Sequence, residues 1–214
     1  MTAYLVPITA AATLRSEVLE QVRRRLAALG YAAVYTAAVG RAERDRLVTD
    51  GFEVVEELHL LRHDLHDPVE RPRRSRSTRV RRGRRRDHAD VLLLDAGAFG
   101  PFWRLDVDGL HEALAATPVS RLRIVRDDGF AGYAITGKSG AHGYLQRLAV
   151  SPRAQSRGVG RALLADTLRW LRQRHATSVL VNTQLDNERA LALYESSGFR
   201  RQDERLAVLH RELR

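Results

Sequence analysis

Apolar positions along the chain change period several times, and each change marks a predicted element. Ala3–Ile8 reads as a short strand, Leu14–Leu29 as a helix, Ala32–Val39 as a strand and Arg41–Thr49 as a second helix closing at Asp50-Gly51-Phe52. Glu53–Leu61 is extended, and His66-Asp67-Pro68 breaks the pattern. Thr78–Arg82 is again extended. A helix runs from Asp87, a suitable N-cap, to about Ala96. Gly97–Trp103 is a break before a helix near Asp108–Ala116. Arg121–Arg126 and Phe130–Thr136 form a hairpin around Asp127-Asp128-Gly129, and Tyr144–Val150 is the next strand. Along Arg157–Arg174, Gly160, Leu163, Leu164, Leu168 and Leu171 recur at helical spacing. Ser178–Thr183 is a strand, Asn187 opens a helix, and Arg200–Glu204 with Leu206–His210 close the chain as two strands. Alternating strands and helices with terminal hairpins predict the α/β class, a mixed sheet flanked by helices.

The first third repeats the order of the last third. Thr36 and Thr183, Phe52 and Phe199, and His63 and His210 are each 147 residues apart. This implies a degenerate internal repeat. At the same offset Leu47 stands where the later copy has Tyr194, and Gly40 where it has Asn187. A half-fold of this size buries too little surface to stand alone, so it is expected to pack on the rest of the chain or on a partner. Its expected role is structural, as a wall on the substrate side, or it is an inert remnant.

The most informative stretch is Leu148–Leu164, LAVSPRAQSRGVGRALL, where an apolar strand enters a glycine-bearing turn and then an amphipathic helix. Gly158 and Gly160 carry no Cβ, so backbone there can approach a bulky anion. The first-turn amides of the helix have no intrahelical partners. Free amides at a positive helix end suit a pyrophosphate, and Arg153, Arg157 and Arg161 add charge around the turn. Here Gln155-Ser156-Arg157-Gly158-Val159-Gly160, following Leu148-Ala149-Val150, resembles the Gln/Arg-x-x-Gly-x-Gly/Ala signature of the GNAT superfamily of acyl-CoA-dependent N-acetyltransferases. Downstream, the run from Asn187 through Ala190, Leu193 and Tyr194 to Gly198-Phe199 is similar to that family's Asn-x-x-Ala-x-x-Leu-Tyr-x-x-x-Gly-Phe helix.

The resemblance spans roughly Thr78 to the C-terminus. It implies a GNAT-like, mostly antiparallel mixed sheet preceded by a half-module of similar β-α-β-α-β order. The expected boundaries are 1–67 for the half-module, 68–77 for an arginine-rich linker and 78–214 for the N-acetyltransferase domain. It also implies acetyl-CoA as co-substrate and no metal. Leu148, Ala149 and Val150 would hold the pantetheine arm, the amides of Gln155–Gly160 the pyrophosphate, and Asn187 the cofactor side of its helix. The N-terminal copy has no such glycine motif and should neither cradle CoA nor protonate a thiolate.

Composition narrows the setting. Among 214 residues there is no cysteine, which excludes disulfides, thiolate metal sites and an acyl-cysteine intermediate. No apolar run is long enough to span a membrane and no charged-then-apolar leader opens the chain, so a cytoplasmic protein is expected. The net charge of +10 invites a nucleic-acid reading. Its source is local: Arg71–Arg86 holds ten arginines and no acid, and elsewhere basic and acidic residues balance. That run suits either a solvated connector or contact with RNA, ribosome or an acidic partner. It carries no aromatic on which a base could stack.

Acetyl transfer to an amine needs a held thioester, a neutral amine and a proton for the departing thiolate. Tyr194 is the expected acid, because a phenol of pKa about 10 is protonated at neutral pH; a tyrosine there also suits plain core packing. No equally good base is visible. Asn182 and Gln146 cannot take a proton, and His142, Asp95 and Glu195 are candidates only by type. Without a strong base, an α-amine of pKa about 8 is easier to use than a lysine of about 10.4, by about 3 kcal/mol. Phe102, Trp103 and Gln146 are the expected substrate contacts. The reading is therefore an N-acetyltransferase for a peptide N-terminus or a small amine. The alternatives are a small-metabolite acyltransferase, similar in its tandem layout to mycothiol synthases, and a CoA-binding module that docks RNA or the ribosome through its arginines.

Overall fold

The computed structural model describes residues 2–5, 15–66 and 79–213. The expected linker at 68–77 and residues 71–78 of the arginine run lie outside these, as does the end of the first predicted strand. The described residues form two units: residues 1–60 with 182–188 and 201–214, and residues 61–181 with 189–200.

In the first unit, β1 (Thr2–Leu5) lies parallel to β2 (Ala33–Thr36), and β2 pairs antiparallel with β9 (Arg200–Glu212) through Ala33–Glu212 and Tyr35–His210. β3 (Glu53–Asp64) is the other neighbour of β9. The helices are α1 (Ser16–Ala28) and α2 (Arg41–Thr49), which bury Leu19 and Leu47. The core unites Leu19, Val34, Leu47 and Phe52 with Ala207, Leu209 and Leu213, so it draws on both ends of the chain. The predicted terminal hairpin is a single strand. Asp203-Glu204-Arg205 offers no glycine or proline to turn on, and its side chains are engaged. Glu204 Oε1 accepts the Arg41 N–H at the start of α2 (2.9 Å), and Arg205 pairs with Glu57 (3.2 Å).

The second unit carries β4 (Val80–Arg82), α3 (His88–Ala98), α4 (Val107–Ala115), β5 (Val119–Arg126), β6 (Phe130–Ser139), β7 (His142–Val150), α5 (Val159–Gln173), β8 (Ser178–Gln184) and α6 (Glu188–Glu195). Its strands stand in the order β8-β7-β6-β5-β4, antiparallel except for the parallel β7–β8 pair. Alternation along β6 feeds two cores. Tyr133 and Ile135 join Val91 of α3 and Leu110 of α4, whereas Ala134 joins Leu163, Leu164 and Leu168 of α5 and Leu191 of α6; Ala131, skipped where the β5–β6 register shifts, breaks the alternation and falls in the second core. Leu61 and Leu65, where β3 ends, belong to this second core, and the Leu65 N–H donates to Thr177 O (3.1 Å).

Asp87 stands at the expected N-cap position of α3, but its side chain makes no cap hydrogen bond there. It lies in a 3-10 turn, Arg85–Asp87, just before α3, and its buried carboxylate accepts from Arg81 (2.7 and 3.0 Å), from the Arg84 N–H (2.9 Å) and from Arg126 (3.3 Å). Arg81 thus spends its charge inside the unit rather than on an external anion.

Candidate active site

The parallel ladder between β7 and β8 runs from His142–Ser178 to Tyr144–Leu180 and stops, although β7 continues to Val150. Among the described residues, β7 has no ladder partner on that side beyond Tyr144. Within Leu148–Val150, the amides and carbonyls that do not point to β6 can then pair, strand-like, with an extended amide-bearing chain. In the first unit β1 and β2 stay paired throughout Thr2–Leu5 and Ala33–Thr36.

The chain leaves β7 through a 3-10 turn at Pro152–Ala154, takes a positive φ at Ser156 (60°) and at Gly158 (82°), and enters α5 at Val159. The helix starts two residues later than the pattern predicts, because Gly158, left-handed, ends the turn. A Cβ there would meet nothing within 4 Å, so what demands glycine is the backbone angle. A Cβ on Gly160 would come within 3.2 Å of Leu193, so this glycine seats α5 against α6. α5 has 15 residues, enough for a full complement of oriented amides at its N-terminus. The Gln155 side chain bridges the turn, donating to Val150 O (3.4 Å) and accepting from Arg189 of α6. Arg157 lies 2.8 Å from Asp127 in an ion pair without hydrogen-bond geometry, Arg161 donates to Ser196 Oγ (3.5 Å), and Arg153 is exposed.

Tyr194 closes the last turn of α6. It is buried, with its ring 5.7 Å from that of Phe199, and burial pushes its hydroxyl up to about 12. Asn187, grouped with the first unit, precedes α6 and donates its N–H to Gln184 O (3.3 Å).

The expected substrate residues lie beside a feature that sequence reading missed. Between Ile135 and Thr136 the β6–β7 register slips by one residue, so Gln146 stands in a β-bulge. Simple alternation therefore fails at Gln146. Its Nε2 sits 2.9 Å from where a Cβ of Gly137 would stand, and its Oε1 is buried without a hydrogen-bond partner. Past the bulge, Arg147 is turned toward α3, where its guanidinium makes a two-pronged pair with Asp95 (2.8 and 2.9 Å). Asp95 is fully buried and also accepts from the Leu105 N–H (2.6 Å) and the Tyr133 hydroxyl. Burial, followed by the Asp95 charge, drives the Tyr133 hydroxyl well above the usual phenol range. Asp95 is thus no base. Both of its oxygens are engaged by the bidentate arginine, a backbone N–H and a phenol, which leaves no free lone pair aimed at a substrate. His142 is no better placed, since its Nδ1 contacts Ser178 Oγ (2.9 Å) at the closed end of the β7–β8 ladder. Phe102 and Trp103 pack edge to face at 4.9 Å in the segment joining α3 to α4. The sequence signal for the network was an aspartate among the apolar positions of α3.

A strand whose parallel ladder ends before the strand does leads into a helix started by a left-handed glycine, and this strand, turn and helix are the arrangement that the Gln155–Gly160 motif led one to expect. Residues 98–199 match the model of the acetyltransferase (GNAT) family. The mycothiol acetyltransferase of Rhodococcus jostii is 34% identical over 147 residues, which cover 58% of this chain and 46% of that one. The ribosomal protein bS18 alanine N-acetyltransferase of Salmonella typhimurium is 37% identical over 78 residues, covering 36% and 53%. The chain thus spans about half the length of these two curated relatives. Among solved structures, a tandem GNAT protein from the clavulanic acid biosynthesis pathway shares the fold, with a TM-score of 0.71 at 12% identity over 92% of this chain and 69% of that one. Among the described residues no cluster of three or more histidines or carboxylates is placed to hold a metal, and no helix is long and apolar enough to cross a membrane.

Proposed function

We propose that the second unit transfers acetyl from acetyl-CoA directly to a primary amine. The observation that carries this reading is the end of the β7–β8 ladder at Tyr144–Leu180, immediately before the Gly158 turn and the N-terminus of α5. The edge of β7 past that ladder suits the pantetheine arm along Leu148–Val150, and the amides at Gln155–Gly160 suit the pyrophosphate. The neutral amine attacks the thioester carbonyl, the C–S bond breaks and the thiolate takes a proton from Tyr194. The amine sheds its own proton to water, since Asp95 is occupied and Asn182 cannot accept one. Phe102, Trp103 and Gln146 form the acceptor side.

Lack of a strong base favours a peptide α-amine or a weakly basic small amine over lysine. A relative named for a ribosomal-protein alanine supports the peptide acceptor. A second reading, a small-metabolite acceptor, is favoured by the longer match to a mycothiol acetyltransferase. The cysteine-free composition fits a cytoplasmic setting.

The test is thiol release from acetyl-CoA with N-terminal peptides, lysine peptides and small amines, amino sugars included. Release with one acceptor class identifies the substrate; release with none, by protein that binds acetyl-CoA, overturns the reading.

A further inference from the structure

The Asp95–Arg147 pair calls for an explanation beyond stability. Taking two charges out of water costs more than an apolar pair of similar volume, so a buried ion pair is weak evidence of a stability role. Asp95 is fully buried, and the Arg147 side chain is 13% exposed. What the pair does, and an apolar pair could not, is hold backbone. Arg147 Nη2 donates to Trp103 O (2.5 Å), its guanidinium centre sits 3.6 Å from the centroid of the Phe99 ring, and Asp95 Oδ1 accepts the Leu105 N–H (2.6 Å). These three contacts fall at the start, middle and end of residues 99–105, the segment that carries Phe102 and Trp103. Arg147 itself is the residue next to the Gln146 bulge, one step from Leu148.

We propose that Arg147 is a positioning residue. Paired with Asp95, it fixes the 99–105 segment to β7 and so sets the distance between the acceptor wall and the strand beside which the thioester would lie. The inference rests on the acetyl-transfer reading for its consequence, though not for its geometry. Tyr133 completes the clamp by donating to Asp95, so all the donors around the carboxylate come from β6, β7 and the segment being held. The acceptor it selects is one whose amine reaches β7 past two aromatic rings fixed in place, and loosening the clamp should broaden the acceptor range.

The test compares wild type, Arg147→Lys and the double variant Asp95→Asn with Arg147→Met. The double variant removes both buried charges yet leaves a carbonyl oxygen for the Leu105 N–H, which protects the fold. Amide hydrogen exchange should rise about 10-fold or more across 99–105 in the double variant, with α5 and β6 unchanged. The acceptor KM should rise about 10-fold while the affinity for acetyl-CoA stays constant, and Arg147→Lys, which keeps the charge but not the fork, should fall between. Exchange that is unchanged, or that rises over the whole second unit, overturns the proposal. So does an acceptor KM that ignores a loosened segment. No turnover by wild type with any amine instead sinks the acetyl-transfer reading, while the exchange result still decides whether Arg147 holds the segment.

Discussion

A phenol buried as deeply as Tyr194 behaves differently from one in water. Burial raises its pKa to about 12, so the fold favours the neutral hydroxyl. The sign follows: the stability this adds is whole below the unfolded value of about 10 and is lost between there and about 12. As a proton donor Tyr194 therefore stays loaded across the working range. The transfer rate should climb with pH on a single limb set by the acceptor, with a midpoint of about 8 for an α-amine, and show no fall below about pH 10. Tyr194→Phe removes only the hydroxyl and should lower kcat about 100-fold or more with acetyl-CoA affinity unchanged. An equal loss of kcat in a stopped assay and of affinity in titration would mark a packing role instead. Asp87 shows the opposite sign. Arg81 above all, then the Arg84 N–H and Arg126, hold its carboxyl below the usual range against the opposing effect of burial. Asp87→Asn should cost about 1.5–3 kcal/mol at neutral pH. The gap in denaturant midpoint should close as acid carries the wild type below the unfolded carboxyl value of about 4 and on through its depressed native one. The place of Tyr194 on a helix was legible because it sits in a helix motif. The role of Asp87 was not, since its partners come from β4, the turn before α3 and β5, and only the fold brings them together.

At the scale of elements, two positive-φ glycines differ in what surrounds them. Gly158 (82°) has open space where a Cβ would go, whereas at Gly198 (91°) a Cβ would come within 3.1 Å of His63 Nε2. Alanine at either site meets a left-handed penalty of about 1–2 kcal/mol. Gly158→Ala should therefore lose more acetyl-CoA affinity than melting temperature, and Gly198→Ala the reverse; matched losses in calorimetry and titration would contradict the assignment of the Gly158 turn to the ligand. The same elements explain what the sequence could and could not reveal. α2 and α6 begin 147 residues apart, as do β3 and β9, so the offset seen in scattered identities is carried by whole elements. Gly51 (79°) and Gly198 (91°) end the two helices alike. The bulge at Gln146 was invisible, because it is a mismatch between β6 and β7 and neither strand records it alone. Reading β9 as a hairpin failed for a related reason. The partners of its charged residues lie on α2 and β3, more than a hundred residues away in sequence.

On the scale of the whole molecule, chain order and spatial grouping part company. The first unit takes the N-terminal 60 residues and also residues 201–214, so the last strand of a chain whose family match ends at 199 serves the N-terminal unit. This accounts for how a half-fold survives: β9 supplies β2 with an antiparallel neighbour and adds Ala207, Leu209 and Leu213 to a core that otherwise holds little more than Leu19, Val34, Val39, Leu47 and Phe52. The Leu209 N–H also donates to the buried Thr36 Oγ1 (2.9 Å), tying β9 to the end of β2. Removing β9 would strip β2 of its ladder on one side and expose the faces of Val34 and Phe52. For a unit this small the loss should exceed its stability, because each buried leucine removed costs about 2–5 kcal/mol. A chain ending at Arg200 keeps every residue of the second unit. In that truncated protein, amide exchange at β2 and α2 should approach the unfolded rate, with proteolysis between Ser16 and Glu53 to match. Protection retained at Val34 and Leu47 would show instead that the N-terminal elements hold together without the strand that closes them.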